Sequence, residues 1–495
     1  MTLALILLIA FVVRVSSLEA PSIWVDEATS LHRAAMGPSE MITTLAFDHV
    51  PLYYLMLQAW VRLVGTSVFS LRMPTVLFGV LVVSQVYVLA KHLFDKAAGR
   101  IAALLTAVSP FLVFYSRMAR PYPLLWSCIL WAVIMYVTAL RTGRWRWWLL
   151  YAVAATTAVY SHFTAVPVLI FLGLYPLLYW RRLKAQWPQW IAAHTVLALA
   201  FLPLITKALD LAITIQSTIV GRGTLTLWYL ADLFVRWNVG YALQTRKLVF
   251  VILLATFGLL TGIGLFSLRL SPDSQGASHS RSGRLSLIGR AHFGSRELLL
   301  LGSLIAPVGL GVVAKLMRPD TFSFEARTLS VASLPYYLLL ARGVQMLGPT
   351  VLRRVVLPGC IAVMLVATAA SLGKGGGIDW RHVAATIDRQ GRTDDLVLVV
   401  PAGQYLSALK TYYSGPASLR DTAADRVNSA NVASILSPAV GYDRVWLITI
   451  NGAQYDPGDL LDGWMTSRCV PREQMELIPR HAWMRLYEHC VVRMQ

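Results

Sequence analysis

The sequence predicts an all-α, polytopic membrane bundle of about eleven transmembrane helices, followed by a small C-terminal α/β domain. Of its 495 residues, 56% are hydrophobic and only 14% are charged. The mean hydropathy is +0.59, whereas soluble domains carry about 25% charged residues. Apolar runs long enough to cross a bilayer recur as far as Leu372, and the remaining residues have the composition of a soluble domain.

The predicted spans are runs that approach the roughly twenty apolar residues a membrane-crossing helix needs. The first run has no basic segment ahead of it and no persuasive cleavage site, so we expect a retained span and not a signal peptide. Two of the runs are short, which is typical of tilted or interior helices. The runs lie at 1–18, 70–94, 101–115, 122–140, 147–162, 164–180, 189–206, 247–268, 297–316, 328–347 and 355–372.

Basic residues between the spans predict the orientation of the chain. They cluster in alternate loops, which the positive-inside rule assigns to the cytoplasm. The N-terminus is then cytoplasmic and, with an odd number of spans, the region after Leu372 is extracytoplasmic. We therefore expect a multi-pass protein of the cell (plasma) membrane. The clusters lie at 91–100, 141–146, 181–184, 269–296 and 342–354.

The net charge of +19 comes entirely from the part of the chain that contains the predicted spans. Residues 373–495 contain 13 Lys or Arg and 13 Asp or Glu, so the whole excess, 31 basic against 12 acidic residues, lies in 1–372. A basic excess confined to the loops of a membrane bundle indicates topology, so we expect no nucleic-acid partner.

Two domains are predicted: a transmembrane domain, 1–372, and an extracytoplasmic α/β domain, 373–495, joined through the glycine-rich Gly373–Gly377. Within the second domain, Leu396–Pro401 and Val445–Ile450 have the composition of buried strands. The domain contains no glycine-rich nucleotide-binding motif.

The same domain contains two segments with helical periodicity, Trp380–Gln390 and Gln404–Tyr413. It also contains Cys469 and Cys490. These two cysteines form a disulfide if the domain is exported, and are ordinary thiols if it is not.

The acidic pair Asp26 and Glu27 follows directly on the first predicted span. Carboxylates are costly near hydrocarbon, so such a pair is a candidate catalytic site. The alternative is that either carboxylate complements the N-terminal dipole of a short interfacial helix.

Arginines recur on the expected exported face: Arg72 at the start of a span, Arg117 and Arg120 in the bend 116–121, and Arg327 at the end of the loop 317–327. Guanidinium groups form bidentate, permanently charged contacts with phosphate. Arg117 and Arg120 share one face if the bend is helical. The alternative, snorkelling at the interface, fits poorly with a face where arginine should be depleted. We therefore expect these arginines to bind a donor phosphate.

Four further residues on this face are candidates for substrate binding: His49, Tyr53, Tyr122 and His162. Aromatic rings stack on sugars, although a histidine at a bend is more often packed or capped than a ligand. His49 stands beside Asp48, but two adjacent residues are a poor metal signature. We assign no metal and expect no cofactor.

These motifs together resemble the GT-C membrane glycosyltransferases, in particular the protein-mannosyltransferase and aminoarabinose-transferase-like group. The acidic pair after the first span is joined by DHVPLYY, SLRMPTVLFG, YSRMARPYPLL and YSHF. The resemblance covers roughly residues 1–210, and the rest only in architecture. Val50 departs from the pattern, because relatives usually have a proline there.

The resemblance implies a GT-C fold and a sugar donor linked to polyprenyl phosphate, used at the outer face with inversion and without a nucleotide sugar. By position, Asp26 matches the acidic-loop residue implicated in activating the acceptor. Arg72 matches the arginine near the lipid phosphate. The implied partners are the lipid-linked sugar, an extracytoplasmic acceptor (a glycan, lipid or protein) and the bilayer.

We therefore expect a membrane glycosyltransferase in which Asp26 and the arginines surround one lipid headgroup. The alternative is a polyprenyl-lipid flippase or a solute transporter that uses the same charges for translocation. A transporter should carry charges near the bilayer midplane or paired broken helices in repeated halves. In this sequence the ionisable residues gather at one face without an internal repeat, which favours surface chemistry.

Overall fold

The computed structural model describes residues 1–44, 50–181, 183–206, 209, 226–241, 247–270, 293–317, 326–347, 351–373, 377–401, 403–420, 422, 426–450, 452–479 and 481–490. Contacts divide the chain into two units. The helical unit is Met1–Leu18 with Gly37–Leu372, and the mixed unit is Glu19–Met36 with Gly373–Gln495. The domain boundary at residue 372 stays a prediction, and the contacts add Glu19–Met36 to the mixed unit. Most of Gly373–Gly377 and of the loop 269–296 lies outside the described residues.

The α-helices of both units, in chain order, are α1 (Leu3–Val15), α2 (Val25–Ala35), α3 (Pro38–Thr44), α4 (Pro51–Val64), α5 (Val68–Leu93), α6 (Lys96–Val108), α7 (Pro110–Ser116), α8 (Tyr122–Thr142), α9 (Trp145–Ser161), α10 (Val166–Leu174), α11 (Trp187–Phe201), α12 (Leu227–Val239), α13 (Lys247–Leu270), α14 (Phe293–Met317), α15 (Ser333–Met346), α16 (Val351–Leu372), α17 (Trp380–Gln390), α18 (Gln404–Lys410), α19 (Val432–Ile435), α20 (Gly452–Tyr455) and α21 (Leu460–Thr466).

The multi-pass helical bundle predicted from the sequence is confirmed, and each of the predicted runs falls on a helix. Within the described ranges, five helices are long and apolar enough to cross a bilayer, and a bent pair makes a sixth if it is one span. The five lie in α5, α8, α13, α14 and α16, and the bent pair is α6 with α7. The count of eleven spans stays a prediction.

The bent pair corrects the prediction of one helix over 101–115. The axes of α6 and α7 differ by 59°, and the chain breaks between them at Ser109. Pro110 opens α7 and has no N–H, so it cannot donate to the carbonyl of Thr106 four residues earlier. The Ser109 hydroxyl caps α7 instead, accepting from the Leu112 N–H at 3.2 Å.

Side chains from two other helices satisfy the carbonyls at the end of α6. Arg14 of α1 is fully buried and donates to the Thr106 carbonyl at 3.2 Å and to the Ala107 carbonyl at 2.9 Å. Thr368 of α16 donates to the Val108 carbonyl at 3.0 Å. An unsatisfied carbonyl is costly inside a bilayer, so these contacts make a broken span tolerable there.

Gly79 of α5 permits the close packing beside this break. A Cβ at this position would lie 2.3 Å from the Ser116 hydroxyl oxygen and 2.9 Å from the Arg14 Nε. Both distances are below van der Waals contact, so only glycine lets α5 approach the end of α7 and the Arg14 side chain this closely.

The mixed unit is built on a five-stranded sheet of order β2-β1-β3-β5-β4. β1 lies parallel to β2 and β3, whereas β5 lies antiparallel to β3 and β4. The strands are β1 (Leu396–Val400), β2 (Ser418–Arg420), β3 (Val445–Ile450), β4 (Val470–Ile478) and β5 (Ala482–Glu488). The α/β prediction is confirmed for β1, β3, α17 and α18.

β4 is an edge strand that the sequence pattern does not predict. Most of its side chains are exposed, so it has no apolar alternation to mark it. β1 and β3 are buried along their whole length and contribute Leu396, Leu398, Val445 and Leu447 to the core of the unit. Burial on both faces explains why these central strands were predictable and the edge was not.

A disulfide joins Cys469 to Cys490, which ties the start of β4 to the end of β5. The chain-entropy model gives a loop of this length about 3 kcal/mol of stabilisation. A persistent disulfide requires an oxidising compartment, so it is compatible with the exported location expected for this unit.

We predict that replacing Arg14 with methionine destabilises the protein by at least about 2 kcal/mol, because two buried carbonyls lose their donors. The unfolding midpoint of the full chain in detergent measures this. Arg144→Met, at an exposed position after α8, is the matched control and should leave the midpoint unchanged. An Arg14→Met midpoint equal to that of the control would contradict the assigned role.

We also predict that Cys469 and Cys490 are oxidised in membranes of the producing cell. Alkylation of the denatured, unreduced protein should then modify only Cys128 and Cys360, which are free and buried. Prior reduction should raise the number of modified cysteines from two to four. Four modified cysteines without a reductant would show that the bridge does not form.

Candidate active site

The acidic pair lies in the first turn of α2, within the mixed unit. The Glu27 side chain is 1% exposed, and its carboxylate accepts from the Trp24 N–H at 3.0 Å. Glu27 thus fixes the start of α2, as the helix-start alternative predicts. Asp26, half-buried, precedes it, and its backbone carbonyl accepts from the Ser30 hydroxyl. The capping contact is therefore made by Glu27, and the catalytic role stays a prediction centred on Asp26.

Arg72 and Arg117 meet where the chain leaves α1, within the helical unit. Both side chains are buried, and the charge of Arg72 lies close enough to act on Arg117. Arg72 donates to the Leu18 carbonyl at 2.6 Å, and Arg117 donates to the Ser17 carbonyl at 2.8 Å. The structure therefore brings together two of the four predicted phosphate-binding arginines.

Arg117 also ties α1 to the end of the last helix of this unit. Its guanidinium donates to the Ser16 carbonyl, and at 3.1 Å to the Leu372 carbonyl. A cation at two helix C-termini is favourable, because the last carbonyls there have no partner within the helix. This geometry gives Arg117 an anchoring role, and its binding of a phosphate stays a prediction.

The bend between α7 and α8, residues 117–121, is not helical. The condition under which Arg117 and Arg120 would share one helical face is therefore not met. Pro121 is the last residue of the bend, and the next helix, α8, begins at Tyr122. Arg120 is 8% exposed and projects from a turn, so its direction is set by the bend and not by helical periodicity.

Two predicted substrate-binding residues meet beside this bend. The rings of Tyr122 and His162 lie 5.4 Å apart, and the Tyr115 ring lies 5.2 Å from Tyr122. The His162 Nδ1 accepts from the Thr164 N–H at 3.2 Å, which in the neutral ring leaves the proton on Nε2.

Two residues that no sequence motif marks, Tyr241 and Arg236, lie near Tyr115 at the same bend. The Tyr115 hydroxyl is 3.0 Å from the Tyr241 hydroxyl, and the Arg236 guanidinium lies 5.1 Å from the centre of the Tyr241 ring. Arg327 lies close enough to Tyr115 for its charge to act on the phenol. Tyr115 is an apolar-run residue in the sequence, and only the fold brings Tyr241 and Arg236 to it.

An apolar cleft lies within the helical unit, with Ser303 as a polar member of its lining. It is lined in part by Ile129, Leu130, Leu299, Leu300, Val331 and Leu334. Val331 follows Arg327 by four residues, and Ile129 and Leu130 lie about two turns into α8 from Tyr122. An apolar surface is thus available on the elements that carry Arg327 and Tyr122.

The remaining predicted residues are less informative. Tyr53 lies buried in α4 and packs edge-to-face on Tyr54, with ring centres 5.4 Å apart. His49 and Asp48 lie outside the described residues. In the part of the chain that is described, no group of three or more His, Cys, Asp or Glu is arranged to hold a metal ion. Because Asp26 belongs to the mixed unit and the arginines to the helical unit, their meeting around one headgroup stays a prediction.

Comparison with known proteins identifies one family over part of the chain. Residues 48–206 match the model of the dolichyl-phosphate-mannose-protein mannosyltransferases. This segment contains Arg72, Arg117, Arg120, Tyr122 and His162. No curated protein sequence matches the chain.

Solved structures of similar fold cover nearly the whole chain. ArnT from Cupriavidus metallidurans bound to undecaprenyl phosphate is 12% identical, with a TM-score of 0.59 over 98% of this chain and 97% of that one. Its apo state is 14% identical, with a TM-score of 0.52 over the same shares. The oligosaccharyltransferase of Archaeoglobus fulgidus, in complex with Zn and sulfate, is 12% identical, with a TM-score of 0.55 over 90% of this chain and 68% of that one.

At these identities the structural likeness establishes the fold, and the family match adds the enzyme class. The family match and the structural likeness together confirm the resemblance to the GT-C membrane glycosyltransferases that the sequence motifs indicate. The chain has the GT-C fold and, carrying a mannosyltransferase-family segment at 48–206, is a multi-pass membrane glycosyltransferase.

Proposed function

We propose that this glycosyltransferase moves a sugar from a polyprenyl-phosphate donor to a hydroxyl of an extracytoplasmic glycan, lipid or protein, with inversion at the anomeric carbon. The observation that carries the proposal is the set of arginines around the bend 117–121. Arg117 and Arg120 lie in the bend, Arg72 lies within electrostatic range of Arg117, and Arg327 within range of Tyr115.

The arginines bind and stabilise the leaving phosphate. As the bond from the anomeric carbon to the phosphate oxygen breaks, its electron pair and negative charge pass to the lipid phosphate. Arg120, Arg327 and Arg72 stabilise that charge in a site of low dielectric, where fixed cations act most strongly. Arg117 supports them by holding the bend to α1 and α16.

The lipid part of the donor lies along the apolar surface that surrounds the cleft of the helical unit. The lining of Ile129, Leu130, Leu299 and Leu334 suits a prenyl chain, which gains nothing from polar contacts. ArnT binds undecaprenyl phosphate, and the matching family is named for dolichyl phosphate mannose, so both comparisons support this donor class.

Asp26 is the proposed base. It accepts the proton of the acceptor hydroxyl as that oxygen forms its bond to the anomeric carbon, a positioned transfer worth about a hundredfold to ten-thousandfold. A lipid phosphate leaves without protonation, so the second carboxylic acid of a glycosidase is not needed. Glu27 supports Asp26 by fixing the start of α2.

Tyr122 and His162 form the proposed sugar contact. The tyrosine offers a ring face, and the histidine offers a donor at Nε2 to a sugar hydroxyl. Tyr53 and His49 keep the substrate-binding role predicted from their place in the sequence.

The proposed orientation has a cytoplasmic N-terminus and places the C-terminal part of the chain outside the cell membrane. The alternating basic loops support it through the positive-inside rule. The Cys469–Cys490 disulfide supports the same orientation, because the outer compartment is the oxidising one.

We predict that Asp26→Asn, which preserves the shape of the side chain and removes the base, lowers the transfer rate at least about a hundredfold. The assay follows label from undecaprenyl-phosphate-linked sugars into extracytoplasmic acceptors in membranes that contain the full chain. Asp394→Asn, an exposed position in the mixed unit, is the matched control and should leave the rate unchanged. Transfer at the unaltered rate by Asp26→Asn would exclude this base.

We predict that Arg120→Met and Arg327→Met each lower kcat about 10²- to 10³-fold, the usual cost of removing one group that stabilises the charge of a transition state. Arg100→Met, exposed near the start of α6, should retain kcat. Membranes in which both variants retain kcat but no longer move lipid-linked sugars across the bilayer would favour the flippase alternative.

A further inference from the structure

Residues Glu19–Met36, which carry Asp26, are part of the mixed unit, although the C-terminal residues of that unit follow more than 300 positions later. The two parts contact each other through α2 and α18. The distant C-terminal residues are therefore placed to act on the acidic loop.

Hydrogen bonds from α18 hold the loop on both sides of Asp26. At the N-terminal end of α18, the Gln404 Oε1 accepts from the Thr29 hydroxyl at 3.2 Å. Two residues beyond its C-terminal end, the Tyr412 hydroxyl accepts from the Ile23 N–H at 2.8 Å. Since the early end of α18 meets the late end of the loop, the two segments run antiparallel with Asp26 between the contacts.

Two further contacts fix the chain just before Asp26. The Trp380 N–H, in the first turn of α17, donates to the Ser22 hydroxyl at 3.0 Å. Arg381 donates to the Glu19 carbonyl at 2.9 Å, and its guanidinium lies 5.3 Å from the centre of the Tyr412 ring. Tyr412 is thus itself held in place while it binds the loop.

The Ile23 contact holds the backbone just before α2 begins, next to the cap that Glu27 provides. Ile23 is fully buried, so its N–H has no access to water and requires a protein acceptor. Trp24 and Val25 follow at once, and Asp26 is the second residue of the helix. Because only Trp24 and Val25 separate Ile23 from Asp26, a displacement of the Ile23 backbone also displaces the Asp26 carboxylate.

We infer that Tyr412 is a positioning residue for Asp26, and that the C-terminal part of the chain serves the transfer reaction by holding the acidic loop at both ends. This inference rests on the proposed function, because it takes Asp26 as the base. Without the Tyr412 hydroxyl the loop stays attached through Gln404, Trp380 and Arg381, and Glu27 still caps α2, but the backbone at Ile23 loses the contact that fixes it next to Asp26.

The test is Tyr412→Phe in the full chain, in membranes supplied with undecaprenyl-phosphate-linked sugars. The ring remains to pack with Arg381, and only the acceptor of the Ile23 N–H is lost. A displacement of about 1 Å at a reacting group costs about a hundredfold, so we expect kcat to fall about 10- to 100-fold. The KM for the lipid donor should stay within about twofold, because the donor-binding arginines are untouched.

Tyr413→Phe is the matched control. Its hydroxyl also accepts from a backbone N–H, that of Ala417 at 2.7 Å. Ala417 lies in the C-terminal part of the chain and not in the acidic loop. It should retain kcat within about twofold. If Tyr412→Phe does not accumulate, Gln404→Met is tested in its place. It removes the contact with the Thr29 hydroxyl and should also lower kcat.

A double-mutant cycle separates positioning from general damage to the fold. Tyr412→Phe should have no further effect on the low residual rate of Asp26→Asn, because both act through one carboxylate. An unchanged kcat in Tyr412→Phe, an equal loss in Tyr413→Phe, or an undiminished effect in the Asp26→Asn background would each overturn the inference. Retention of the full rate by Asp26→Asn alone would instead overturn the proposed base.

Discussion

Unpaired helix-end carbonyls are the constraint that shapes the helical unit. Within a bilayer each such carbonyl needs a donor from the protein, because no water is there to supply one. Pro110 cannot donate to the Thr106 carbonyl, and Arg14 donates to it instead, while Thr368 donates to the Val108 carbonyl. Arg117 does the same for the ends of α1 and α16. Arg14 and Arg117 thus both have defined structural partners.

The functional bend depends on those contacts. Arg120, Tyr122 and the residues around them follow a broken span, and a broken span is stable only while its carbonyls are paired. Arg14 contributes from a helix about ninety residues away in the chain, and Arg117 ties the bend to the exit of that same helix. Arg117, which holds the bend, and Arg120, which is proposed to bind phosphate, therefore lie three residues apart in one segment.

In the mixed unit, side chains likewise provide partners for backbone N–H groups at and just before the start of a helix. Glu27 satisfies the start of α2, and Tyr412 satisfies the buried N–H of Ile23. A carboxylate directly after a span would otherwise lie on a loosely held loop. Folding this loop with the C-terminal residues supports it on both sides of Asp26.

The sequence predicted the broad features because they depend on local patterns. Apolar runs indicated the helices, the β-rich apolar composition of β1 and β3 indicated the central strands, and short motifs together with the acidic pair carried the resemblance to the GT-C group. It did not identify features that depend on distant partners, such as the pairing of Tyr115 with Tyr241 or the attachment of residues 19–36 to the C-terminal unit. The structure brings Arg72 and Arg117 together, and only the structure shows the anchoring contacts of Arg117 with the ends of α1 and α16. The exposed edge strand β4 left no periodic signal to read.

The central claim is that the bend between α7 and α8 binds a lipid phosphate. Photo-crosslinking the full chain with a polyprenyl phosphate that carries a photoreactive group next to the phosphate tests it most directly. The account predicts adducts on residues 115–122 and 326–331, lost when unlabelled undecaprenyl phosphate competes. Adducts found only outside these two segments would contradict it.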